Sequence, residues 1–151
     1  MNIDKQNKLD KVYMKMTETW STLSYAKRLK VGALIVKDGA IISDGYNGTP
    51  SGFENECEEP VYSEDNTLIK YQTKWYVLHA EANAILKLAR STQNSEGSTL
   101  YLTYSPCPEC SKLIFQSGIK RVVYKNEFRN TTGLDFLRKA GVELKKIDMD
   151  D

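Results

Sequence analysis

The chain has 151 residues, 40% of them apolar and 27% charged, and its 21 basic against 20 acidic side chains leave a net charge of +1. That length and composition predict one globular domain, 1–151, with a substantial core, and exclude a disordered chain or a polyelectrolyte drawn onto nucleic acid or anionic lipid. No run approaches the roughly 18 apolar residues of a membrane span, and residues 1–10 lack the apolar centre of a signal peptide, so a cytoplasmic enzyme or binding domain is expected.

In chain order, Leu9, Val12, Met16, Trp20 and Leu23 recur in steps of three and four, which predicts an amphipathic helix from about Lys8 to Arg28. Val31–Val36 and Ala40–Tyr46 read as two strands joined at Lys37-Asp38-Gly39, a hairpin signal. From Asn47 to Lys74 the periodicity collapses, Gly48, Pro50 and Gly52 break the chain, and the acidic residues Glu54, Glu56, Glu58, Glu59, Glu64 and Asp65 follow. This stretch reads as a long functional loop or a solvated insertion.

Beyond it the pattern becomes regular. Ala80–Ala89 predicts a buried helix, Ser98–Tyr104 a strand, Cys107–Gln116 a helix and Arg121–Tyr124 a strand. Leu134–Lys139 reads as a helix ending near Gly141, and Val142–Ile147 as a last strand. A hairpin followed by alternating helices and strands implies an α/β fold with a mixed sheet covered on both faces.

Three cysteines, Cys57, Cys107 and Cys110, are too few for a disulfide framework, and His79 is the only histidine. His79-Ala80-Glu81 opens one predicted helix, and Pro106-Cys107-Pro108-Glu109-Cys110 opens another. One imidazole and two thiolates suit zinc in a tetrahedron with its fourth position open. Cys-x-x-Cys at a helix start lets both sulfurs reach one ion, and the helix N-terminus favours the thiolate. Proline at position 108 fits a first helical turn. Glu81 lies about 200° around the helix from His79, so it serves as a carboxylate beside the site and not as a fourth ligand. A redox pair or a structural histidine would explain either motif alone. Together, H-x-E and P-C-x-x-C make the signature of zinc nucleobase deaminases.

At this point the chain resembles the cytidine/deoxycytidylate deaminase superfamily, and within it the deoxycytidylate (dCMP) deaminases of bacterial and phage type. The resemblance runs from about Ser24 to Ile147. It rests on Val31-Gly32-Ala33, Gly45-Tyr46-Asn47-Gly48-Thr49-Pro50-Ser51-Gly52, His79-Ala80-Glu81-Ala82-Asn83-Ala84-Ile85, Ser105-Pro106-Cys107-Pro108-Glu109-Cys110 and Gln116-Ser117-Gly118-Ile119-Lys120. It implies a three-layer α/β/α cytidine-deaminase-like fold around a mixed five-stranded sheet. It implies hydrolysis of dCMP to dUMP and ammonia, supplying dUMP for thymidylate synthesis, with His79, Cys107 and Cys110 holding one Zn²⁺. Glu81 would carry protons, and the Ala80 N–H would anchor the base carbonyl.

Further positions follow from the same resemblance. Asn47 would orient the sugar, although a turn-forming asparagine is the simpler alternative. Asn83, four residues after His79, would share its helical face and reach the site, or serve equally well as a hydrogen-bonded helix asparagine. Arg28 would hold the 5′-phosphate, with Lys27 and Lys30 as competitors and a solvated basic cluster as the equal alternative. Tyr124 and Phe128 would stack on the base or belong to the core. Many relatives carry extra cysteines and histidines for a second zinc; here Cys57 stands without them, and although carboxylates could complete such a site, one zinc is expected.

The resemblance also implies a hexamer activated by dCTP with Mg²⁺ and inhibited by dTTP, in the host cytoplasm if the chain is phage-encoded. Gly45, Tyr46, Asn47 and Gly48 are the candidate effector loop, with backbone N–H groups for phosphate and the acidic stretch behind it for Mg²⁺. The rivals are a polynucleotide deaminase acting on tRNA adenosine or single-stranded DNA cytosine, a free-nucleoside deaminase, and a non-catalytic zinc-stabilised module. The charge balance disfavours the first, and Glu81 disfavours the last.

Overall fold

The computed structural model describes residues 1–150. Helix α1 spans Ile3–Ser21, followed by strands β1 (Gly32–Lys37), β2 (Ala40–Tyr46), β3 (Glu58–Tyr62) and β4 (Leu68–Thr73). Then come α2 (Ala80–Ala89), β5 (Thr99–Tyr104), α3 (Pro108–Gln116), β6 (Arg121–Asn126), α4 (Thr132–Lys139) and β7 (Glu143–Lys146).

Five strands form one sheet in the order β2-β1-β5-β6-β7. β1 runs antiparallel to both β2 and β5, whereas β5–β6 and β6–β7 are parallel. The mixed α/β sheet expected from the element order is therefore present. The parallel connections are made by α3 and α4, as helix crossovers between parallel strands require.

Strand alternation sorts the core into two layers. Ala33, Ile35, Leu100, Leu102, Val122 and Tyr124 face α2, α3 and α4 with Ala80, Ala84, Ile114, Leu134 and Leu137. Leu34, Val36, Tyr101 and Val123 face the other way with Met14 of α1. Ile35, Leu100 and Leu102 are fully buried, and each contributes about 1.5–3 kcal/mol of transfer free energy.

Two elements differ from the sequence expectation. α1 begins at Ile3 because the Asn2 side chain caps it, accepting from the Asp4 N–H at 2.8 Å. It ends at Ser21, where the Ser21 and Thr22 hydroxyls bond the Glu18 and Thr19 carbonyls and compete for the helix ladder. The second difference lies in the stretch expected to be a loop. Residues of β3 and β4 pair there as an antiparallel ribbon separate from the main sheet. Every residue of β4 is exposed, so no face is buried and the period-two signal that betrays a strand is missing. Among the described residues, no helix is long and apolar enough to cross a membrane.

Candidate active site

The ends of two helices meet above the sheet. His79 is the N-cap of α2, with extended backbone, and Cys107 is the N-cap of α3, with Pro108 in the first turn. The Cys107 sulfur accepts the Cys110 N–H at 3.4 Å, so the Cys-x-x-Cys turn caps its own helix. His79 Nδ1 lies 3.5 Å from Cys107 Sγ and 3.3 Å from Cys110 Sγ. A tetrahedral zinc with ordinary bond lengths would separate nitrogen and sulfur ligands by about 3.6 Å. The donor set and its spacing fit that ion. Among the described residues this is the one cluster of histidine, cysteine and carboxylate groups close enough to hold a metal.

Hydrogen bonding from Cys110, then from His79, holds the Cys107 thiol down at about 4, and the bond to Cys107 pushes Cys110 up. A divalent cation bound by both sulfurs would draw off the remaining proton. Glu81 is 4% exposed, and burial pushes its carboxyl up. A carboxyl whose proton affinity is raised by burial is better suited to accepting a proton and passing it on.

A cavity of about 480 Å³ opens beside these groups, bounded by Arg28, Asn47, His79, Ala80, Glu81 and Tyr104, among others. Ala80 is fully buried and opens the first turn of α2, where backbone N–H groups lack intrahelical partners. Arg28 lines the cavity; Lys27 and Lys30 instead border a surface groove with Leu23 and Tyr25. Asn47 lines it while bracing the preceding loop: its Nδ2 donates to the Leu29 carbonyl and its Oδ1 accepts the Val31 N–H, both at 2.8 Å.

Two expected base or site contacts fall elsewhere. The Asn83 amide donates to the Tyr46 carbonyl at 2.8 Å, tying α2 to β2, and Asn83 does not line the cavity. Tyr124 is buried in the core at 5% exposure. The aromatic wall is built instead by Tyr104 and Phe128, stacked at 5.1 Å and 27°. Tyr104 belongs to no motif; its signal in the sequence is its place at the last position of β5, directly before Ser105-Pro106-Cys107. Ser105 Oγ accepts the Phe128 N–H at 3.0 Å and so fixes the second ring.

Part of the backbone of the candidate effector loop is already paired within the fold. The Asn47 N–H donates to the Val31 carbonyl and the Gly48 N–H to the Leu78 carbonyl, while Gly45 and Tyr46 pair with β1. Gly45 is small for a different reason. An added Cβ would lie 2.3 Å from the Ala80 carbonyl oxygen and 2.8 Å from the Ala84 nitrogen, so glycine lets β2 press against α2. Several acidic side chains after the loop are likewise engaged: Glu54 with Lys74 and Tyr76, Glu59 with Gln72, Asp65 with Ser63. Cys57 is 1% exposed, lines the cavity and belongs to no second metal cluster among the described residues.

The family model for the cytidine and deoxycytidylate deaminase zinc-binding region matches residues 7–126. The chain belongs to the cytidine and deoxycytidylate deaminase family. It is 39% identical to the deoxycytidylate deaminase of Enterobacteria phage T4, over 78% of this chain and 79% of the relative. It is 31% identical to ComE operon protein 2 of Bacillus subtilis, over 92% of this chain and 71% of the relative. Among solved structures, the dCMP deaminase of cyanophage S-TIM5, crystallised with dCMP and dUMP, superposes with a TM-score of 0.82 at 48% identity. That match covers 93% of this chain and 97% of the cyanophage protein. As a member of this deaminase family, the chain is a hydrolase of exocyclic C–N bonds, and its His79, Cys107 and Cys110 are the group that could hold the family's zinc.

Proposed function

We propose that the chain hydrolyses dCMP to dUMP and ammonia, using one zinc per chain held by His79, Cys107 and Cys110. The observation that carries the substrate assignment is Arg28, among the described residues the only lysine or arginine lining the cavity that holds His79, Ala80 and Glu81. The Tyr104–Phe128 wall lines the same cavity as that guanidinium, whose planar fork suits a 5′-phosphate bidentately.

When bound, zinc supplies a Lewis acid with an open position that makes water nucleophilic near neutral pH. The chain's own groups do the rest. The Ala80 N–H holds the O2 carbonyl of the base, and Asn47 faces the sugar from the braced loop. Glu81 takes a proton from the attacking water and delivers it to N3, and then carries a second proton to the departing exocyclic amine. Water and dCMP thereby become dUMP and ammonia, with no redox step.

The proposal extends to supply of dUMP for thymidylate synthesis in the cytoplasm of the host cell, and to regulation of a hexamer by dCTP with Mg²⁺ and by dTTP. With the Asn47 and Gly48 amides already paired to the Val31 and Leu78 carbonyls, an effector would be read mainly by the side chains around the groove bounded by Tyr25 and Tyr46–Phe53. Sigmoidal dCMP kinetics that become hyperbolic with dCTP support this extension; hyperbolic kinetics from a monomer indifferent to both effectors remove it.

The deciding experiment incubates the purified protein with dCMP, dCTP, deoxycytidine and single-stranded DNA and follows ammonia. dCMP should be turned over far faster than deoxycytidine, and Arg28→Ala should weaken dCMP by about 1.5–3 kcal/mol. Equal efficiency on nucleoside and monophosphate eliminates the phosphate assignment, and a preference for the oligonucleotide replaces it.

A further inference from the structure

Arg28 sits in the irregular segment between α1 and β1, where no helix or sheet ladder fixes it. Two side chains from outside the segment hold it instead. Asn47 grips the downstream end at Leu29 and Val31. Glu58 grips the upstream end: its Oε2 accepts the backbone N–H of Lys27 at 3.0 Å and of Arg28 at 3.2 Å. We infer that Glu58 is the positioning residue for Arg28, its carboxylate clamping the backbone so that the guanidinium is aimed at the substrate phosphate. This rests on the proposed reading of Arg28 as the phosphate ligand.

Three features carry the inference. First, two successive amides converging on one anion form a concavity that suits a carboxylate, and such bonds are charge-assisted. Second, Glu58 rides on a fixed support. It opens β3 opposite Thr73, and the neighbouring Cys57 carbonyl accepts the Lys74 N–H at 2.8 Å, with Cys57 itself buried. Both Glu58 and Thr73 line the cavity, so the base of the ribbon forms part of its wall. Third, the carboxylate binds backbone and leaves the side chain alone. Among the described residues, the ion pairs of the chain's arginines belong to Arg121 and Arg138, and the guanidinium of Arg28 bonds no carboxylate. Its donors stay available to a ligand.

The sign of the electrostatics makes the inference testable. A carboxylate beside an anion site repels phosphate, so a bystander Glu58 would weaken dCMP binding and its neutralisation would tighten it. A positioning Glu58 has the opposite effect, because removing the clamp lets Arg28 wander. The role is also confined to substrates that carry a phosphate.

The experiment measures kcat and KM for dCMP, and kcat/KM for deoxycytidine, in the wild type, Glu58→Ala and Glu58→Gln. Glu58→Ala should raise the KM for dCMP about tenfold, the scale of one lost charge-assisted bond, with kcat much less affected. Glu58→Gln keeps an acceptor oxygen and should fall between wild type and Glu58→Ala. The loss on deoxycytidine should be several-fold smaller than on dCMP. Glu58→Ala added to Arg28→Ala should weaken dCMP no further than Arg28→Ala alone. A parallel loss on both substrates would mean a general structural role and overturn the inference, as would an unchanged or lowered KM for dCMP. A wild-type protein that does not distinguish dCMP from deoxycytidine would instead bring down the Arg28 reading itself, and the clamp with it.

Discussion

Asp10 of α1 and Arg121 of β6 meet in a two-pronged pair, with Nη1 2.9 Å from Oδ1 and Nη2 2.7 Å from Oδ2. Tyr101, Lys145 and Gln6 add donors to the same carboxylate, which is completely buried. The helix is thereby fastened to three neighbouring strands by one side chain. Removing a single partner from a buried pair leaves the others uncompensated, so Asp10→Asn should cost about 3–5 kcal/mol in urea unfolding at neutral pH. Burial alone would push the Asp10 carboxyl up, but the bonds from Arg121, Lys145, Tyr101 and Gln6 outweigh it and hold it well below the usual carboxylate range. A depressed folded-state pKa stabilises fully above the unfolded value of about 3.9 and is lost as pH falls below it. The stability gap between wild type and Asp10→Asn should therefore narrow below about pH 4. A gap that stays constant from neutral pH to pH 3 would show that the carboxylate charge is not what holds α1.

The metal cluster predicts one zinc per chain by elemental analysis. Cys110→Ala removes a ligand from a three-residue set and should lose both bound metal and deaminase activity. Active protein without zinc, or two tightly held ions per chain, would contradict the single cluster.

Glu81→Gln separates holding the metal from moving the proton. The variant keeps all three ligands, so its zinc content should match wild type while its rate falls at least about a hundredfold. Near-normal turnover would remove Glu81 from the chemistry, and lost zinc would make it a ligand.

Gly133 was not flagged by any motif, yet it lets α4 close over the Cys107 turn. A Cβ there would lie 2.4 Å from the Pro106 carbonyl oxygen and 2.6 Å from Ser111 Oγ. Gly133→Ala should displace that turn and weaken zinc retention against a chelator, with the fold's circular dichroism unchanged. Wild-type retention would show that the turn yields without moving its sulfurs.

The parts of this molecule that sequence exposes are those whose physics is local. α2 and β2 occupy the residues their patterns predict, because one buries a helical face and the other follows an Asp-Gly turn. His79, Cys107 and Cys110, the group that could hold a metal, announce themselves because such a group needs particular atoms at helix starts. Asn83 shows where local reasoning stops: helical phase places it on the His79 side, but the Tyr46 carbonyl that captures it comes from another element. Tyr124 has the same history, since strand alternation alone does not say which face the cavity opens on. Asp10 reads as a polar position on an amphipathic helix, and only its distant partners in β5, β6 and β7 reveal it as buried. The β3–β4 ribbon stayed hidden because its residues answer to each other and not to a core.

That ribbon also separates two tasks along its length. Its base supplies Glu58 and Thr73 to the cavity wall, whereas its turn at Ser63–Thr67 lies at the far end of strands of five and six residues. At about 3.3 Å per residue, the turn stands roughly 15 Å from the base. The Ser63–Thr67 turn is thus the natural port for a grafted epitope or a fluorescent reporter, set away from the cavity but on the same ribbon that forms part of its wall.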